Sequence, residues 1–364
     1  MRNLPLLLAF TLAICCQIAN AQIHPSHQVI VATNVGQADG VLSVVETASP
    51  FPSTPAAARS SHDAIVHVFN GQLYVLGRHK RIVQIRALPS LKLLQQIHIE
   101  KVKAPRDLLM VGPRMALISD YDSKHLWWLD TYSDVIVPGQ SLAQYSDPDG
   151  FPDLSMMIAV GQKVYVQMQR FDRNTFTYYG AKLAVLAPGF NPDPPVILES
   201  VIDLQGVRPD YHMQTNAAGN KLWVSAPGVD GDWGGWVNTG IEEVDLNLGQ
   251  SIGFVIREFN FGADIGPFVM IDDNKGFAIA HTSIVASTHL RVFDRMGQIA
   301  ELHVSTNGRL DSIAYDRVRR QIFYPIPQGS NPSGGVLIFD ADNHQQSSGF
   351  IPVGGEPFDM VVVQ

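Results

Sequence analysis

The chain's 364 residues, 46% of them hydrophobic, are enough to bury a large core without covalent staples. A formal charge of −8, with basic and acidic residues interspersed, argues against nucleic acid and anionic membrane surfaces as partners. The two cysteines, Cys15 and Cys16, stand side by side near the N-terminus, which excludes a disulfide framework or a cysteine metal site in the remaining chain.

The chain opens M-R-N-L-P-L-L-L-A-F-T-L-A-I-C-C-Q-I-A-N-A-Q: a basic Arg2, an apolar run from Leu4 to Cys16, then small residues at Ala19 and Ala21. This pattern predicts an export signal over residues 1–21, cut before Gln22, and a single mature domain over 22–364. Lipidation would need a small residue before the acylated cysteine, whereas Ile14 precedes Cys15. The apolar run falls short of the roughly 20 residues of a membrane span, and no later stretch reaches that length without charges or prolines. A periplasmic or secreted protein without membrane insertion is expected. Its charge is −9, since the +1 of Arg2 leaves with the leader.

After the leader come H-Q-V-I-V-A-T-N and V-L-S-V-V-E-T, two strand-like runs. Then a repeat begins. Runs combining β-branched and aromatic residues recur as Q-L-Y-V-L-G-R at 72, R-M-A-L-I-S-D-Y at 114, K-V-Y-V-Q-M-Q-R at 163, K-L-W-V-S-A-P at 221, K-G-F-A-I-A-H at 275 and Q-I-F-Y-P-I-P at 321. Each follows another run and a tight turn such as N-G, G-P, G-Q, G-N or D-N, which are hairpin signals. A third strand follows, ending in Asp130, Asp245, Asp294 and Asp340 in four copies, and an amphipathic fourth strand such as K-L-L-Q-Q-I-H-I leads onward. The spacing matches the period of propeller blades, and no segment of ten residues has helical periodicity. The C-terminal E-P-F-D-M-V-V-V-Q reads as a first strand with nothing after it, and the N-terminal runs as later strands with nothing before them. Joined, they complete a seventh blade and remove the exposed sheet edges. The fold expected is all-β, a seven-bladed β-propeller of four-stranded blades closed by its two ends.

On L-Y-V-L-G-R, V-Y-V-Q-M-Q and L-W-V-S-A-P as second strands, with L-W-W-L-D and R-V-F-D as third strands, the repeat resembles that of the YVTN-type β-propeller proteins. The resemblance covers essentially the mature chain, and its motifs concern blade packing rather than chemistry. It implies an exported binding protein, some relatives being lactonases or dehydrogenase subunits.

In a propeller the first strand of each blade lines the central channel, and residues at its start crowd one mouth. That position holds Asp63, Asp107, His212, Asp311 and Asp359, with Arg106 beside them; the loops between second and third strands add Arg78, Tyr121, Arg170 and Arg173. Such a ring of polar groups is the default ligand site. Aspartates at strand starts also cap turns and accept bonds from neighbouring amides, so each candidate has a structural alternative. Two longer loops, Phe171–Gly180 and Gly228–Asn238, carry aromatic residues; Trp233 and Trp236 in the second could stack on a sugar or a partner protein, or cover their own blade. The loop S-D-P-D-G-F-P-D-L-S places Asp147, Asp149 and Asp153 close enough to chelate calcium or another divalent cation, although Pro148 and Pro152 stiffen it and the terminal glutamate of an EF-hand is missing.

No G-x-S-x-G elbow, Walker loop, H-E-x-x-H or C-x-x-C-H occurs. A His212 buried beside Asp63 or Asp107 would be a candidate general base. The expectation is a monomeric, non-catalytic propeller binding a partner protein, a glycan or a small polar ligand at the funnel mouth. The alternative is a lactonase-like hydrolase or dehydrogenase subunit using the Asp, His and Arg set with a divalent cation.

Overall fold

The second-strand runs are apolar on both faces because both faces are covered. In the computed structural model, which describes residues 27–187, 197–227, 238–282, 287–306, 310–330 and 334–363, each run is the second strand of a four-stranded antiparallel sheet. Neighbouring sheets pack face to face, so strands such as Gln72–Gly77 and Lys221–Ala226 are buried along almost their whole length. The fourth strands form the outer edge, and Leu93–His98 is accordingly mostly exposed, with Ile97 its one buried residue. Pro138 is tolerated in the outer strand Val135–Ser141, where a missing N–H breaks no inner ladder.

Seven such sheets make the propeller. Blade 1 comprises Ala64–Phe69, Gln72–Gly77, Ile82–Ala87 and Leu93–His98; blade 2, Pro105–Met110, Met115–Asp120, His125–Asp130 and Val135–Ser141; blade 3, Leu154–Val160, Lys163–Met168, Lys182–Ala187 and Ile197–Asp203. Blade 4 comprises Gln214–Thr215, Lys221–Ala226, Gly240–Asp245 and Gln250–Arg257; blade 5, Asp264–Met270, Lys275–Thr282, Ser287–Asp294 and Ile299–Thr306; blade 6, Ala314–Asp316, Gln321–Ile326, Gly335–Asp340 and Ile351–Pro352. In blade 7 the C-terminal strand Glu356–Val363 lies innermost and pairs with Gln28–Val35, followed by Asp39–Glu46 and Ser53–Ser61. The register runs from Gln28 opposite Val363 to Asn34 opposite Glu356, so the two ends of the chain close the ring as expected.

The core is divided among the joints between blades. Tyr74 and Leu76 of blade 1 pack with Leu108 and Met110 of blade 2, Ile30 and Leu42 of blade 7 with Val66 and Leu73 of blade 1, and Phe277 of blade 5 with Tyr324 and Phe339 of blade 6. Each buried Leu, Ile or Phe contributes about 1.5–3 kcal/mol, so no joint depends on a single residue.

The aspartates that end the third strands are turn formers. Asp130 Oδ1 accepts from the amides of Tyr132 and Ser133, Asp245 Oδ1 from Asn247 and Leu248, and Asp340 Oδ1 from Asp342 and Asn343. The repeated aspartate therefore starts the turn to the outer strand. Two expected first strands are shorter than their runs suggested. In blade 4 only Gln214–Thr215 pairs, because the preceding Arg208–Met213 leaves the ladder for the channel and Pro209 has no N–H to donate. In blade 6 the strand shrinks to Ala314–Asp316. The described residues contain one short α-helix, Glu258–Phe261, and no helix long and apolar enough to cross a membrane. The expected leader 1–21, and Trp233 and Trp236, lie outside the described residues.

Candidate functional site

The first strand of every blade is a sheet edge, and its inward amides need partners. Polar side chains of the preceding blade supply them. Asp359 Oδ2 of blade 7 accepts from the amide of Val66 in blade 1 at 2.8 Å, and Asp107 Oδ2 of blade 2 from that of Met157 in blade 3 at 2.8 Å. Gln214 of blade 4 exchanges two bonds of 2.7 Å with the backbone of Met270 in blade 5, and Ser312 Oγ, before blade 6, accepts from Met360 of blade 7 at 3.1 Å. These are blade-to-blade clasps, and they account for the full burial of Asp107 and Asp359.

Two histidines rest on the same carboxylates. His67 Nε2 lies 2.7 Å from Asp107 Oδ1, and His212 Nε2 lies 3.1 Å from Asp359 Oδ1, which also accepts from Ser312 Oγ at 3.0 Å. The rings meet edge to face with centroids 5.9 Å apart. Burial works against a charged His212, but Asp359 and then Asp107 outweigh it and raise its pKa to about 9. His212 is therefore an imidazolium at neutral pH, a hydrogen-bond donor and a cation. Its hydrogen-bonded carboxylate is that of Asp359 rather than of Asp63 or Asp107. The Asp107 carboxyl stays below its ordinary value: burial opposes this, and the neighbouring His67 and His212 overcome it.

Above this layer lies a cavity of about 260 Å³. Its charged lining comprises Asp63, Arg78, Arg106, Arg208, Asp210, His212, Asp311 and Asp359, and its apolar lining Ile65, Met156 and Phe358 with the ring of Tyr211. Asp63 enters blade 1 in the left-handed region at φ +54°, which aspartate tolerates, and is held by reciprocal bonds with Asn34 of 3.0 and 2.8 Å. Arg106 pairs with Asp210 and stacks over Tyr121 at 5.4 Å, leaving its buried Nε without a partner. Arg78, directly after the second strand of blade 1, donates from Nε to the carbonyl of Pro105 at 3.2 Å and lies 5.7 Å over the Phe358 ring. It makes no ion pair with a described residue. Burial first, and then the nearby Arg106, pull its pKa below the usual value, against the attraction of Asp63, Asp210 and Asp311.

Of the candidates named from sequence, Asp63, Arg78, Arg106, His212, Asp311 and Asp359 therefore converge on one cavity. Asp107 lies beneath it as a clasp. Tyr121 is displaced to the side: its hydroxyl donates to Gln169 Oε1 at 2.9 Å, and burial and Asp153 raise its pKa. Arg170 turns away, donating to the carbonyls of Tyr145, Tyr179 and Gly180, and so anchors the base of the aromatic insert instead of lining the cavity.

The three-aspartate loop has an internal cation. Arg173, on the hairpin Phe171–Asp172/Thr177–Tyr178, donates to Asp153 Oδ1 at 2.6 Å, pairs with Asp122 and Asp149, and stacks on Tyr121 and Phe151. The carboxylates of Asp149 and Asp153, considered with Asp147 for a cation, here meet a guanidinium latch, and the described residues contain no group of three or more His, Asp or Glu placed to hold a metal ion. Asp147 sits apart from the arginine. Its Oδ1 accepts from the Asp149 amide at 2.9 Å while its buried Oδ2 has no partner, and burial together with Asp149 and Asp153 raises its pKa to about 7. The latch holds the aromatic hairpin beside the mouth, with Phe171 and Tyr178 stacked at 4.6 Å and Phe176 exposed.

Sequence reasoning missed Arg208 and Asp210, although the run R-P-D-Y-H ends in a residue it had selected. Charged residues just ahead of a short first strand were the available signal. His67 carried no signal in sequence, because its Asp107 partner stands in the next blade.

No protein-family model and no curated protein matches the chain. Solved structures do. A putative 6-phosphogluconolactonase from Bacteroides uniformis superposes with a TM-score of 0.64 at 12% identity, covering 93% of this chain and 100% of that one. Hydrazine synthase from Kuenenia stuttgartiensis gives 0.57 at 12% identity, covering 79% and 85%. A quinonprotein alcohol dehydrogenase-like protein from Bacteroides thetaiotaomicron gives 0.56 at 10% identity, covering 93% and 78%. At these identities the likeness shows the propeller fold alone.

Proposed function

We propose that this is an exported propeller of the YVTN-repeat kind that binds a small polar solute in its central cavity without transforming it. The observation that carries the reading is the convergence of Arg78, Arg106, His212, Asp63, Asp311 and Asp359, from blades far apart in sequence, on one cavity of about 260 Å³. That volume lies just below the usual range of ligand pockets, roughly 300–1,000 Å³, and suits a small metabolite rather than a polymer. The protonated His212 supports binding over proton abstraction. The latched hairpin with Phe171, Phe176 and Tyr178 adds an aromatic rim against which an apolar part of a ligand or partner would rest.

One observation favours the enzyme alternative: two His–Asp pairs face each other across the channel, and the matched structures include proteins titled as a putative lactonase and a dehydrogenase-like protein. A single experiment separates the readings. The purified protein is screened by thermal shift and calorimetry against sugars, organic acids, amines and lactones, with product analysis of every binder. Saturable binding with unchanged ligand supports the binding reading. Turnover of a lactone or alcohol that disappears in His212→Gln establishes the enzyme, and no binding by any class overturns the cavity as the site.

A further inference from the structure

We infer that the solute carries a carboxylate and that Arg78 is the residue that grips it, an inference that rests on the binding reading above. The cations of the cavity are unequally partnered. His212 has Asp359 and Arg106 has Asp210, whereas Arg78 has one bond to a backbone carbonyl and a ring beneath it. Its two terminal nitrogens, the fork that matches a carboxylate, have no hydrogen-bond or ion-pair partner among the described residues. Asp63, Asp210 and Asp311 attract this guanidinium, but no described carboxylate forms an ion pair with it, and burial together with Arg106 opposes its charge, a local cost to the fold. The neighbouring Arg106 adds a second opening, since its buried Nε also lacks an acceptor. An anion entering the cavity relieves both.

The rest of the lining limits which anion. Asp63, Asp210, Asp311 and Asp359 face the same space, so a multiply charged anion meets four carboxylates once it passes the arginines. A single carboxylate on a body with hydroxyl or ammonium groups can pair with Arg78 while those groups meet the aspartates that line the same space. The apolar floor of Ile65, Met156 and Phe358 then takes the carbon skeleton.

The experiment is calorimetric titration of the mature protein with short hydroxy acids and amino acids, with the amide of each acid, with neutral sugars and with inorganic phosphate. Acids are expected to bind at least tenfold more tightly than their amides. Arg78→Gln should lower acid affinity at least tenfold while leaving the amides unchanged, and Arg78→Lys should fall between, keeping the charge and losing the fork. Equal binding of acids and amides, tighter binding of phosphate, or unaltered acid affinity in Arg78→Gln each overturns the inference. Binding of neutral sugars alone sinks the carboxylate and spares the site, whereas failure of every probe sinks both. The acid–amide comparison uses the wild-type protein and decides the matter even if a variant fails to fold.

Discussion

Replacing Asp107 by alanine tests whether the strand-entry aspartates hold the ring together or serve a ligand. The carboxylate is fully buried and accepts from the Leu108 amide at 2.8 Å, the Met157 amide at 2.8 Å and His67 at 2.7 Å. Alanine strands both amides in an apolar joint, where each unsatisfied group costs about 1–3 kcal/mol, so the expected loss is about 2–6 kcal/mol. His67 adds little because its ring reaches the channel and can bond water. Asp107→Asn should lose less than the alanine variant, because its amide keeps one acceptor and sets a donor against one of the two N–H groups. Urea unfolding of the three proteins, followed by tryptophan fluorescence, measures the differences. A loss below ~0.5 kcal/mol for Asp107→Ala, the range of ordinary surface substitutions, would refute the clasp. So would a variant of unchanged stability that no longer binds any solute.

Two pH dependences follow from the buried titratable groups, and both weaken the fold as pH rises. His212 is raised to about 9 in the fold against roughly 6.5 in an unfolded chain, so its stabilising charge is fully present below about 6.5 and lost as pH rises through 9. Melting temperature should therefore fall between these values in the wild-type protein and fall less in His212→Gln; parallel profiles would contradict the His212–Asp359 pairing. Asp147 is an acid raised to about 7, so the fold favours its protonated form: the contribution is complete below about 4 and is lost as pH rises through 7. Asp147→Asn should match wild type at pH 4 and exceed it in melting temperature at pH 8; a variant less stable at pH 8 would place a favourable partner on the buried Oδ2.

Much of the fold was legible because a propeller repeats the same local solution. Runs such as Q-L-Y-V-L-G and K-L-W-V-S-A are apolar on both faces, which only a strand sandwiched between two sheets requires, and the hairpin turns and third-strand aspartates mark where each strand stops. The half-blades at the two ends are likewise local patterns, and their complementarity implies the closed ring. The site was legible only as a position. Reading the start of each first strand selected Asp63, Asp107, His212, Asp311 and Asp359, with Arg106 beside them, and radial geometry carries all of these except Asp107 to one cavity at the mouth of the channel.

What each residue does there was decided by tertiary structure. Asp359 acts on the amide of Val66, 293 residues away, because ring closure makes the last strand the neighbour of the first complete blade. Asp107 and Asp359 became clasps, while Arg78 bonds the carbonyl of Pro105 and forms no ion pair among the described residues. Asp147, Asp149 and Asp153 look like a cation loop in sequence because chelation is judged from local spacing. Arg173 enters from a hairpin some twenty residues on and answers the carboxylates of Asp149 and Asp153 within the protein itself. Strand pattern and blade number depend on residues close in the chain, which sequence records; the balance of charge at the mouth depends on which blades become neighbours, and only the closed ring sets that.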